Sequence, residues 1–236
     1  MGLKAIYKYG SPPNFYRFVT RLEPWCLYFG LLLILIGSAG GLFLAPKDYQ
    51  MGDAFRIIYF HVPSAYLSMS AYAAMGFASM IGIVWRSNVA FSVAKSIAPF
   101  GALMTTIALL TGMLWGKPMW GTWWVWDARL TSVAVLFIVY LIIIFINLSF
   151  ENRRVREKIS SIFILVGSVN LPIVKFSVDW WNTLHQPATI SKLSKPSIDP
   201  SMMTPLIIMT IAFILIGISI AILRIKTEII ARGLDL

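Results

Sequence analysis

Six stretches of this chain are apolar over the length of a bilayer crossing, and no other feature constrains its fold as much. They lie near residues 22–44, 60–85, 93–114, 131–150, 159–178 and 203–223. A helix needs about 20 apolar residues to span the hydrocarbon core. In lipid the backbone must satisfy its own hydrogen bonds, which leaves helices or closed barrels. These windows are rich in helix formers and lack the two-residue alternation of a barrel strand. The composition agrees: 58% hydrophobic, 13% charged, with a mean hydropathy of +0.76, outside the mix of soluble domains. The first window follows basic and proline-containing residues and has no small-x-small cleavage signature, so it is expected to be a retained span rather than a signal peptide. No solenoid repeat or low-complexity segment divides the chain, and one polytopic all-α domain over residues 1–236 is the expectation.

Lys and Arg set the expected orientation. With the N-terminus cytoplasmic, 13 of the 20 basic residues fall on that side and 7 on the other, while the 10 acidic residues divide evenly. This is the bias of the positive-inside rule. The net charge of +10 then reflects topology and anionic lipid rather than nucleic acid. The expected architecture is an all-α integral membrane protein of six transmembrane helices with both termini cytoplasmic. Its outer loops would be roughly 45–59, 115–130 and 179–202.

The chemistry is concentrated in those loops. WGKPMWGTWWVWDAR, Trp115 to Arg129, holds Trp115, Trp120, Trp123, Trp124 and Trp126 and closes on Asp127 and Arg129. Anchoring a helix end takes one or two tryptophans. Five rigid rings with N–H donors make a surface for a flat, partly apolar partner. Trp180 and Trp181 also fall outside, whereas Trp25 and Trp85 sit at inner helix ends, where a belt role suffices.

Both histidines fall on the same outer side. His61 lies in IIYFHVPSAY, expected at the start of the second helix with Pro63 in its first turn, and His185 lies in WWNTLHQP. Either alone reads equally well as an interfacial residue with a hydrogen-bond partner. Together they flank the tryptophan run, and two imidazoles beside an aromatic floor suit a heme iron with two free axial positions. They are too few for an ordinary structural zinc site, and no cysteine or acidic set with zinc spacing accompanies them. Cys26, the only cysteine, excludes an internal disulfide and a CxxCH heme attachment. Any heme here would be held non-covalently.

The remaining polar residues of the spans read as structural. Asn170 and Pro172 should interrupt the fifth helix, and Lys175 should snorkel or pair with Asp179. Thr105, Thr106 and Thr111 should bond between helices. Arg56 and Arg129 have ion pairs with Asp53 or Asp127 as their structural reading.

WGKPMWGTWWVWDARLTS resembles the tryptophan-rich WWD motif of heme-handling membrane proteins. With RIIYFHVPSA, NLPIVKFSVDWWNTLHQP and SIDPSM, the chain resembles the CcmC family of cytochrome c maturation proteins from about its first helix to its sixth. The extreme N-terminus and the tail after Lys226 carry little of the resemblance. The HVP and WWNTLHQ segments separate that family from larger synthetases that share the WWD loop. The resemblance implies a heme b binding and delivery factor of the inner membrane rather than a turnover enzyme, working at the periplasmic face. It implies His61 and His185 as axial iron ligands and Trp115, Trp120, Trp123, Trp124 and Trp126 as the heme platform. The heme chaperone CcmE, the small protein CcmD and the CcmA/CcmB transporter are the implied partners. Arg129, Lys117 and Arg56 are the candidate propionate partners, and Asp127 would orient an indole or a docking partner. Two other readings remain: a transmembrane heme transporter, and a heme b electron carrier or quinol oxidoreductase.

Overall fold

The computed structural model describes residues 11–185 and 198–233, and those residues fold into seven α-helices. They are α1 (Pro12–Ala39), α2 (Ile58–Trp85), α3 (Asn88–Trp120), α4 (Ala128–Ser149), α5 (Arg153–Gly167), α6 (Asn170–Trp180) and α7 (Pro200–Ala231). A π-helical turn, Gly40–Leu44, extends α1, and a 3-10 turn, Asp53–Ile57, leads into α2. Helices α5 and α6 follow one another closely, so the described residues form six helical segments long and apolar enough to cross a membrane. The chain is a multi-pass helical membrane protein. Lys4, Lys8, Lys192 and Lys195, which enter the expected charge bias, lie outside the described residues.

Local chemistry starts and stops these helices. Ser87, Asp127, Asn152 and Asp199 are N-caps, each accepting from a backbone N–H of the first turn. Most of the helical spans run longer than their apolar windows. The largest correction falls on the tryptophan loop. Helix α3 continues through Gly116 and Pro118 to Trp120, and Gly121 ends it at φ 74, a conformation that favours glycine. Lys117 Nζ donates to the Gly121 carbonyl at 3.1 Å. The expected loop of 115–130 therefore shrinks to 121–127.

Helix α2 begins at Ile58, so His61 lies just inside its start as expected, and Pro63 falls beyond the first turn. In the fifth span, the expected interruption is the break between α5 and α6, where Asn170 Nδ2 donates to the Ser132 carbonyl of α4 at 2.9 Å. Thr105 and Thr106 bond to carbonyls of their own helix, Gly101 and Ala102. They are not the interhelical glue expected of them.

Helix α1 packs along α7, where Gly30 and Gly37 admit Ile216 and Met209. The main core lies among α2, α3, α4 and α5, around Tyr72, Met75, Leu136, Tyr140 and Ile164. At one end of the bundle, the end of α3, the starts of α2 and α4 and the end of α6 converge. That end carries both histidines.

Candidate functional site

A cleft opens at this end between α2, α3, α4 and α6. It encloses about 650 Å³, counting the part open to solvent. Its wall includes His61, Trp115, Trp120, Trp124, Arg129 and His185, and its floor includes Ala65, Ser68, Met69, Leu130 and Val174.

The imidazoles of His61 and His185 lie with ring centres 6.3 Å apart and planes 30° apart. They come from helix α2 and from the segment after α6, 124 positions away in sequence. Trp115 stands edge-on to His61 at 6.0 Å, and Trp120 lies 6.3 Å from His185. Each histidine therefore has its own indole from the last turns of α3. His61 Nδ1 is 2.9 Å from Thr111 Oγ1, one turn above Trp115 on the same helix. Gly112, with no side chain, lets the imidazole approach α3 closely: a Cβ there would sit 3.2 Å from His61 Cε1.

The five tryptophans do not form one surface. Trp115, Trp120 and Trp124 line the cleft. Trp123 and Trp126 face outward, 49% and 82% exposed, with Trp126 edge-on to Trp124 at 5.4 Å. Trp180 and Trp181 are also exposed and stand edge-on to one another. Among the cleft tryptophans, the Nε1 atoms of Trp115 and Trp124 are buried with no acceptor among the described residues. Unpaired buried donors are rare enough to call for a partner.

The candidate charged residues separate just as clearly. Arg129 lines the cleft, its Nε donating to Ser177 Oγ of α6 at 2.8 Å. Ser177 is fully buried and passes its own proton to the Val174 carbonyl. That arrangement replaces the ion pair with Asp127 expected from the sequence. Asp127 caps α4 through Oδ1, at 2.8 Å from the Leu130 N–H, and its Oδ2 is buried without a hydrogen-bond partner among the described residues.

Arg56 stands apart from the cleft, bonded to Asp53 at 3.0 Å and to the Gly41 carbonyl at 2.8 Å. Lys117 caps α3 and lies 6.0 Å from the Trp123 ring. Neither lines the cleft. Lys175 lies 5.9 Å over the Tyr66 ring. Thr111 makes the interhelical bond expected of it, though its partner was not foreseen as His61, and sequence reasoning missed Ser177. The signal for Ser177 was weak.

Known proteins resemble this chain over most of its length. The family model described as heme exporter protein C matches residues 5–235, further toward both ends than the resemblance read from the sequence motifs. The heme exporter protein C of Haemophilus influenzae is 43% identical over 227 residues, 96% of this chain and 92% of that protein. That of Bradyrhizobium diazoefficiens is 44% identical over 222 residues, 94% of this chain and 84% of the relative. A ccmC-like mitochondrial protein of cytochrome c biosynthesis from Marchantia polymorpha is 41% identical over 198 residues, 84% of this chain and 82% of its own length.

Proposed function

Because the chain belongs to the heme exporter protein C family, whose members handle heme in cytochrome c maturation, we propose that it holds heme b non-covalently in this cleft and delivers it to the chaperone CcmE. In this reading both termini are cytoplasmic and the cleft opens on the periplasmic face of the inner membrane. CcmD and the CcmA/CcmB transporter are its further partners.

The observation that carries the reading is the pair of imidazoles. His61 and His185 bring their ring centres to within 6.3 Å of one another in a single cleft, and these two imidazoles would hold a heme iron, for which neutral histidine nitrogen is a usual ligand.

The rest of the lining suits the same cargo. Trp115, Trp120 and Trp124 with Leu130, Val133 and Val174 offer apolar surface to a porphyrin, worth about 25 cal/mol per Å² buried. The unpaired indole N–H groups of Trp115 and Trp124 and the guanidinium of Arg129 are donors for propionate oxygens. Arg56 and Lys117 drop out of that role because their partners hold them elsewhere. The exposed rings of Trp123 and Trp126 are left to meet the chaperone beside the cargo. Delivery is favoured over transport because both imidazoles gather at one end of the bundle.

Absorption spectra of detergent-purified protein test the reading. Wild type should show a low-spin heme spectrum, and His61→Ala and His185→Ala should each lose or shift it. Unchanged spectra in both variants would overturn the ligand assignment. Wild type that stays heme-free after hemin addition would overturn heme binding altogether.

A further inference from the structure

We propose that Thr111 is a positioning residue for His61, fixing its tautomer so that Nε2 presents its lone pair to the cargo in the cleft. The inference rests on the proposed heme reading and extends it to a residue that does not touch the cargo.

The geometry decides the direction of the hydrogen bond. Thr111 Oγ1 lies 2.6 Å from the Ile107 carbonyl and 3.2 Å from that of Ala108. Two oxygens approach to 2.6 Å only with a proton between them, so the single hydroxyl proton of Thr111 is committed to its own helix. The contact of 2.9 Å between Thr111 Oγ1 and His61 Nδ1 then needs its proton from the imidazole. Nδ1–H donates, the hydroxyl accepts, and Nε2 is the unprotonated nitrogen.

Two features hold the imidazole in that pose. Gly112 leaves no side chain between α3 and the ring, and Trp115 closes its edge. Thr111, Gly112 and Trp115 fall within about one turn of α3, so a single rigid helix sets the height, tilt and tautomer of His61. An outer partner on the non-ligating nitrogen raises the basicity of a metal-bound histidine, and its loss commonly weakens metal binding ~10–100-fold.

The tautomer is testable without any variant of Thr111. The chain has two histidines, so ¹⁵N-histidine spectra of the heme-free protein, assigned with His185→Ala, resolve His61 directly. The Nδ1–H form is expected at His61, and the Nε2–H form would overturn the proposal. Thr111→Val, which keeps the shape and removes the acceptor, should bind hemin at least about 10-fold more weakly. It should also raise the midpoint potential of the heme that remains. Thr111→Ser should restore both.

Thr111→Val with wild-type affinity and midpoint, alongside a His61→Ala variant that loses the spectrum, would overturn the positioning role alone. A His61→Ala variant with an unchanged spectrum would overturn the ligand reading beneath it.

Discussion

Tyr140 lies directly on the bare backbone of Gly101, where a Cβ would come 2.2 Å from both Cζ and Oη of the tyrosine. The same hydroxyl donates to the Ser68 carbonyl at 2.7 Å, and Ser68 lines the cleft. One fully buried ring thus pins α2, α3 and α4 together directly below the site. Gly101→Ala should force that ring aside. The expected cost is about 1–3 kcal/mol, the range for overpacking a filled core. Thermal unfolding in detergent, with and without hemin, checks it.

The cleft and its rim should separate when their tryptophans are replaced one at a time. Trp124→Phe keeps an aromatic wall but removes a buried N–H that has no acceptor among the described residues. Hemin affinity should fall several-fold, in line with a net hydrogen-bond worth of about 0.5–1.5 kcal/mol. Trp126→Phe, at a ring 82% exposed, should leave hemin affinity unchanged and slow transfer to the chaperone. Hemin titrations and a transfer assay on the same preparations separate the two. Equal hemin affinities would contradict the division into wall and rim.

The sequence was most legible where physics acts locally. Apolar windows marked all six spans, and Asn170 announced the break that Ser132 of α4 stabilises. It was least legible at helix ends. Gly116 and Pro118 looked like a loop because their local preferences oppose a helix, but packing carries α3 to Gly121, where positive φ ends it. That extension puts Trp115 and Trp120 on a rigid rod and separates them from Trp123 and Trp126. The pairing of His61 with His185 depends on tertiary contact between segments 124 positions apart, which composition cannot show. The tail after Lys226 carried little resemblance, yet Glu228 and Arg232 belong to an ion-pair cluster.

Loss of charge should weaken hemin binding at Arg129 and leave it unchanged at Arg56. Arg129 reaches the cleft from the first turn of α4, braced by Ser177. Arg129→Gln should weaken hemin binding about 10-fold, as expected for one charge-assisted hydrogen bond of about 1.5 kcal/mol. The axial-ligand spectrum should persist, because both imidazoles remain. Arg56→Gln should leave hemin affinity at the wild-type value, since its partners are Asp53 and Gly41. A loss at Arg56 matching that at Arg129 would place the propionates elsewhere.

The far end of the bundle offers the contrasting prediction, stability without effect on the site. Glu228 of α7 pairs with Lys95 of α3, and Arg232 reaches both Glu228, at 3.3 Å, and Glu157 of α5, at 2.8 Å. The Arg232 side chain is only 2% exposed, so water does little to screen it. Removing one member of such a buried set strands its partner, typically at ~3–5 kcal/mol. Glu228→Ala should therefore lower stability, by less than that range because Arg232 keeps Glu157 and Lys95 is 30% exposed. A cycle of Lys95→Ala and Glu228→Ala should give a double variant less destabilised than the sum of the singles, because the two share one interaction. Neither variant should alter the hemin spectrum, because the cluster lies at the opposite end of α3 from Trp115 and Trp120. A shifted spectrum in Glu228→Ala would instead mean that the two ends of the bundle are mechanically coupled through α3.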